Sequence, residues 1–367
     1  MRFIAEGKGL DAFLGSLKKN DYIVIGDLCC ILVRSPVPAI CLGDGRCRSS
    51  WILIDEEGLL HEENGKVVFQ EKYLVLDERE YGDMMETQIA FYDEAGDHLY
   101  PVRKSAIPNL LRLIGHSTDL RTEAPFVLAL IIAGHMDDLY SARMMFFEKQ
   151  GRVRPVFSVT SRRYRVHEIK DFVSVLIDEI SNHGNYAVSR WEIHEEKAEI
   201  EFMLADEDQV LDGRGFLLTL SDVAGTATSL TSFYKQGGIS IFLKKNRMNH
   251  KGIKPVKNTL FEGMWQEFDD FKQCYQLLPC ICVKDPISYL FPFESVIGKK
   301  KFSLLKKDLK PSYKNAQEYY LDVLPKIDRL FTRGSPKWTW LLGNGYYRLL
   351  KNICFPETGP DRQDSRT

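Results

Sequence analysis

Apolar residues recur at Ile169, Phe172, Val173, Leu176, Ile177 and Ile180. These positions share one face of a 3.6-residue period, so the spacing predicts an amphipathic helix over 167–181 with Ile177 in the core. Asn182-His183-Gly184-Asn185 stops it, and Gly184 suits the left-handed turn that follows a helix. The period then falls to two. Ala198, Ile200, Phe202 and Leu204 alternate with Glu199 and Glu201, the pattern of an antiparallel strand with one face on a core and the other in water. A strand over 186–194 precedes it across the polar Glu195-Glu196-Lys197. Strands over 216–220, 226–234 and 239–243 continue the sheet, and Gly237-Gly238 marks a tight hairpin.

The flanking regions follow other patterns. Residues 1–20 predict a short helix carrying Leu10, Phe13, Leu14 and Leu17, and 22–102 read as strands at 22–33, 51–55, 67–76 and 88–92. A short helix follows Pro108, and a longer one is expected over 124–150 with Pro125 in its first turn. Beyond Gly252 an apolar stripe at Phe261, Met264, Trp265, Phe268, Phe271, Tyr275 and Leu278 predicts another helix, with two more at 319–330 and 336–353. The fold class is therefore α+β: a central antiparallel sheet with a packed amphipathic helix, a β-rich amino-terminal region and a helical carboxy-terminal region. The expected divisions are an acidic β-rich region at 1–104, a central α+β domain at 105–257, a helical region at 258–355 and a frayed tail at 356–367.

Charge changes the picture more than composition does. The formal net charge is only −2, but residues 51–100 hold 14 Asp/Glu against 3 Lys/Arg, while 231–351 carry a surplus of twelve Lys/Arg. Such polarity suits head-to-tail self-association, intramolecular packing, or a nucleic-acid face beside a repelling one. The eight cysteines form no Cys-x-x-Cys pair and the amino terminus has no secretory apolar segment, so reduced, buried thiols in a cytoplasmic protein are expected. The longest apolar run, 126–133, is too short to cross a bilayer, and no membrane partner is expected.

Several motifs invite chemistry and are better read as structure. Gly43-Asp44-Gly45 lacks the Gly-Lys-Ser/Thr of a phosphate-binding loop. Helical spacing sets His135 beside Leu139 rather than beside both Asp137 and Asp138. Glu196, in His194-Glu195-Glu196-Lys197, has no identifiable partner carboxylate, and Cys280-x-Cys282 has no second ligand pair nearby. No cofactor and no metal ion is expected. The basic clusters remain. Arg152, Arg154, Arg162, Arg163 and Arg165 open the central domain with Phe157 and Tyr164 interleaved; Lys244, Lys245, Arg247, Lys251, Lys254 and Lys257 close it. If the two ends meet, Arg163, Arg165, Lys244, Lys245 and Arg247 form one positive surface for a phosphate backbone, with aromatics for base stacking.

Arg154, Ser158, Arg163 and Tyr164, followed by the amphipathic helix, together with Ser221-Asp222-Val223-Ala224-Gly225 and Asn249-His250-Lys251-Gly252, resemble the phage- and plasmid-like proteins of domain of unknown function 932. The resemblance covers about 105–255 and departs at Lys235-Gln236-Gly237-Gly238, where that family has a Cys-x-Asn-Gly-like element. It implies a mobile-element context and no particular reaction. The leading expectation is a non-enzymatic protein that binds nucleic acid, single strands above double. The alternatives are a metal-dependent nuclease and an assembly protein, a homo-oligomer whose acidic and basic ends pair between subunits.

Overall fold

A computed structural model describes residues 3–17, 20–24, 30–34, 40–41, 46–54, 62–64, 66–67, 69–75, 78–93, 98–147, 156–164, 169–194, 197–205, 210–220, 228–248, 260–331 and 345–356. The architecture is α+β. Strand β1 (Phe3–Gly7) and helix α1 (Leu10–Ser16) come first. Helix α2 (Ile169–Ser181) then leads into β2 (Tyr186–His194), β3 (Ala198–Leu204), β4 (Arg214–Leu220), β5 (Thr228–Gln236) and β6 (Ile239–Met248). The six strands form one antiparallel sheet in the order β1-β2-β3-β4-β5-β6. The Gly237-Gly238 hairpin has φ of 56° and 81°, the left-handed pair that a two-residue turn between twisted strands needs.

β1 is a strand that periodicity missed. Phe-Ile-Ala-Glu-Gly is too short to show a period, and it is ordered by pairing with β2, remote in sequence. Gly7 lies opposite Trp191, where an added Cβ would fall 2.5 Å from the indole ring. Residues 3–7 thus belong to the sheet formed by residues 186–248, and α1 packs beside them with Phe13 against Trp191.

One face of the sheet carries Ile200, Phe202, Phe216, Leu218, Leu230 and Ile241, all buried. Helix α2 supplies Phe172, Val173, Leu176 and Ile180 to this core, while Ile177 is only partly buried and packs at its margin. A single helix does not cover six strands, and the remaining apolar surface must be buried by other elements. Helices α3 (Met264–Leu277), α4 (Lys299–Asp308), α5 (Ala316–Arg329) and α6 (Tyr346–Cys354) do this, contributing Phe268, Phe271, Phe302, Tyr320 and Leu350 to the same core. The core therefore runs across the boundary expected at 257/258.

A second, smaller core draws its residues from between Ile54 and Val159. Around it Arg46–Ile54, Cys30–Arg34, Ile89–Asp93 and His98–Pro101 pair in antiparallel order, and Phe69–Val75 pairs with Arg46–Ile54. The long helix expected at 124–150 is replaced by three elements: helix Pro125–Ala133, a short turn of helix at Met136–Leu139, and strand Arg143–Phe147 between Asn20–Val24 and Ser158–Thr160. Met144-Met145-Phe146-Phe147 fits either period, and cross-strand pairing decides it. Among the described residues no helix is long and apolar enough to cross a membrane.

Candidate nucleic-acid interface

The candidate site lies on the outer face of the sheet, away from the helices, and a single irregularity creates it. In β6 the apolar positions Ile239, Ile241 and Leu243 face the core, so strict alternation would drive Lys245 and Arg247 inward as well. The pairing of β5 with β6 shifts between Thr231 and Phe233: Phe233 lies opposite Phe242, but Thr231 lies opposite Lys245. The extra residue reverses the faces. Phe242, Lys245 and Arg247 now share the outer face, and Asn246 and Met248 turn inward. The Asn246 side-chain amide donates to the carbonyls of Leu260 and Glu262, both at 2.9 Å, tying the strand to the segment that enters α3.

Lys244 sits at the shift itself. Its backbone N–H donates to Ser232 Oγ at 3.3 Å, and its ammonium packs on Gly263. Gly263 has φ of +66°, and a Cβ there would lie 2.5 Å from Lys244 Nζ. Lys244 is thus directed to the helix side, away from its neighbour Lys245.

The register fixes what surrounds the exposed cations. One row of cross-strand neighbours runs Arg247, Ser229, Thr219, Glu199, Glu192, Glu6, and the next runs Lys245, Thr231, Leu217, Glu201, Arg190. The carboxylates of β2 and β3 are paired within the sheet, that of Glu201 by Lys235 of β5. Glu192 lies 2.5 Å from Arg190 Nη2 and 3.4 Å from His194 Nε2; Glu199 lies 2.6 Å from Lys197 Nζ, and Glu201 lies 2.5 Å from Lys235 Nζ. Lys245 and Arg247 are exposed and form no ion pair among the described residues. Between the two halves of this face lie the half-buried Thr219 and the buried Ser229 and Thr231. Half-buried Phe242 extends the basic edge, packed edge-on against Phe233 with ring centroids 6.0 Å apart.

Lys245 is exposed by area, yet the crowded sheet surface still penalises its charge. Its pKa is lowered first by burial and next by the positive charge of Arg247, with Glu199 opposing. A phosphate seated between Lys245 and Arg247 relieves that repulsion, because an anion shared by two cations favours the charged form of both.

Of the five residues expected to share one surface, the structure brings together Lys245 and Arg247. Lys244 belongs to the opposite side of the sheet. Arg163 is exposed on the turn after Ser158–Thr160, beside the smaller core, and no hydrogen bond or ion pair joins it to β6. Arg165 lies outside the described residues. Of the interleaved aromatics, Phe157 and Tyr164 are buried. Phe242 and the uncharged Thr219, Ser229 and Thr231 escaped the sequence reading; the signal available was two consecutive lysines after an inward alternation, a pattern that no regular strand can bury.

The other motifs acquire ordinary roles. His135 Nδ1 lies 2.9 Å from the Ile131 carbonyl, and its ring meets that of His116 edge-on at 4.9 Å. Glu196 and Gly43-Asp44-Gly45 lie outside the described residues, and among the described residues no group of three or more side chains is placed to hold a metal ion. Cys280 and Cys282 are exposed, contrary to the expected burial, because they lie in the segment just past α3. Buried Cys274 accepts at its carbonyl from Cys354 Sγ at 3.2 Å, and burial pushes the Cys354 thiol up to about 12. No protein-family model, curated protein or solved structure matches the chain.

Proposed function

We propose that this chain is a non-enzymatic nucleic-acid-binding protein that holds a single strand along the β5–β6 edge of the outer sheet face. One observation carries the reading: the carboxylates of β2 and β3 each have a cation of their own, while Lys245 and Arg247 have no carboxylate partner among the described residues and stand beside a half-exposed aromatic ring. Cations left over from internal pairing, next to a ring on which a base can stack, suit a flexible phosphodiester chain. The resemblance to domain of unknown function 932 supports a phage or plasmid setting, hence a cytoplasmic one.

Anisotropy titration of a labelled single strand across a salt series tests this. Each phosphate contact contributes a log–log salt slope of about −0.7 for single strands, so Lys245→Ala with Arg247→Ala flattens the slope by about 1.4. β6 is the last strand of the sheet, and edge lysines also discourage strand-to-strand aggregation. Under that competing role the double variant aggregates and the wild type shows no salt-dependent binding.

A further inference from the structure

The largest concentration of unpaired positive charge in the described residues lies elsewhere, on α4. Its sequence is Lys299-Lys300-Lys301-Phe302-Ser303-Leu304-Leu305-Lys306-Lys307-Asp308. Phe302 and Leu305 are buried and fasten the helix to the larger core. Three lysines fill the first turn, which has neither an acidic residue nor a side-chain cap. This placement opposes the helix dipole, whose amino-terminal end favours anions. Internal contacts absorb part of the charge. Lys301 Nζ donates to the Leu330 carbonyl, and Lys306 Nζ sits over the rings of Phe302 and Phe291 at 4.6 and 5.2 Å. Lys299, Lys300 and Lys307 are exposed and form no ion pair among the described residues. Leu304 and Phe291 are exposed beside them, at 54% and 52%.

We infer that this surface docks the acidic region of a second copy of the same chain. A bilayer is a poor fit, since two exposed apolar side chains do not make an insertion face for a helix whose other apolar residues are already buried in the core. A nucleic-acid strand is also a poor fit: Lys306 occupies one face of the Phe291 ring, and Leu304 offers no ring on which to stack a base. Exposed Leu304 and Phe291 rimmed by lysines instead fit a small apolar centre with a charged rim that steers an acidic protein partner. The complementary charge exists in the chain itself, where residues 51–100 hold 14 Asp/Glu against 3 Lys/Arg. Within that region helix Glu78–Thr87 carries Glu78, Glu80 and Asp83 against Arg79, besides Glu86, which pairs with Lys104 at 3.0 Å. Because the two patches differ, a single such contact is heterologous and its repetition gives a ring or an open chain, while two contacts made reciprocally close a dimer.

Sedimentation velocity of the full chain without nucleic acid tests the inference. At about 50 mM salt the weight-average mass should rise with protein concentration, and at about 500 mM it should return to the monomer, as screening predicts. Lys299→Glu, Lys300→Glu and Lys307→Glu together should weaken the low-salt association at least about tenfold, consistent with like-charge juxtaposition across an interface. Reversal at Lys299 and Lys300 suits the helix dipole in the first turn and reversal at Lys307 opposes it in the last, so the thermal midpoint should stay about level, separating lost docking from lost folding. Mixing this variant with Glu78→Lys, Glu80→Lys should restore association between the two chains. A chain that stays monomeric at low salt, or associates equally well with the three charges reversed, overturns the inference. Loss of binding to phosphatidylserine vesicles on reversal, with no self-association in either protein, overturns it in favour of a lipid surface.

Discussion

The two halves of the outer sheet face differ in whether their charges find partners within the sheet. Across β2 and β3, Glu192, Glu199 and Glu201 sit at alternate positions and each finds a cation within the sheet. Along β6 Lys245 and Arg247 also share a face, but their cross-strand neighbours are Thr231 and Ser229, which carry no charge. Apart from Arg190 these paired side chains are only 15–28% exposed, so each charge has lost much of its water and its partner offsets that loss. The acidic half has thus settled its own charge. The basic edge keeps its charge available to a partner. Contrast within one sheet separates these roles more clearly than net charge, which is near zero for the whole chain.

Several perturbations sharpen or break this contrast. The largest effect is expected beneath it, where both halves rest on one core. Phe216 is fully buried and meets Phe261, Trp265 and Phe268 edge-on. Phe216→Ala should lower unfolding free energy by about 3–5 kcal/mol in urea titrations. A loss below about 1 kcal/mol would mean that sheet and α3 do not share a core. Next comes the buttress that keeps β6 in register. Asn246→Ala removes two hydrogen bonds to the carbonyls of Leu260 and Glu262, and the stranded carbonyls should cost about 1–3 kcal/mol. If the stability is unchanged, the inward turn of Asn246 is wrong and the reversal of faces with it.

Much of this was legible in the sequence, for a definite reason. Strands β2 and β3 show clean alternation because one face is apolar and the other charged, and their spacing marked both ends. The stripe of α2 was equally clear, although Ile177 lies at its margin rather than its centre. β1 was invisible because its order comes from a partner remote in the chain. The candidate site was half legible: the basic residues could be named, but their faces depend on one extra residue in the β5–β6 pairing. Parity along a strand is reversed by such an insertion, and its one trace in the sequence is Lys244-Lys245 following the inward alternation of Ile239, Ile241 and Leu243.

Smaller effects probe the charges directly. Glu201→Gln leaves the mostly buried Lys235 of β5 without its carboxylate and should cost about 1–2 kcal/mol. Strand affinity should not weaken; a drop would mean that the acidic half takes part in binding. The smallest effect is a pH dependence with two opposite signs. Lys245 titrates below the ordinary lysine value of 10.5 in the folded chain, so the folded state binds fewer protons there than the unfolded state. Its contribution to stability is present above 10.5 and is lost as pH falls through the lower folded value. Strand affinity moves the other way, falling as pH rises through that value, because the charged form holds the phosphate. Lys245→Arg, which stays protonated, should remove both trends in melting and binding measured from pH 8 to 10.5.

The most direct measurement compares two adjacent lysines. Lys244→Ala and Lys245→Ala remove the same charge from consecutive positions, and the register shift directs these side chains to opposite sides of the sheet. Single-strand binding at low salt should weaken for Lys245→Ala, with a salt slope shallower by about 0.7, and should match wild type for Lys244→Ala. Equal losses for the two variants, or no binding by the wild-type chain at low salt, would contradict the account.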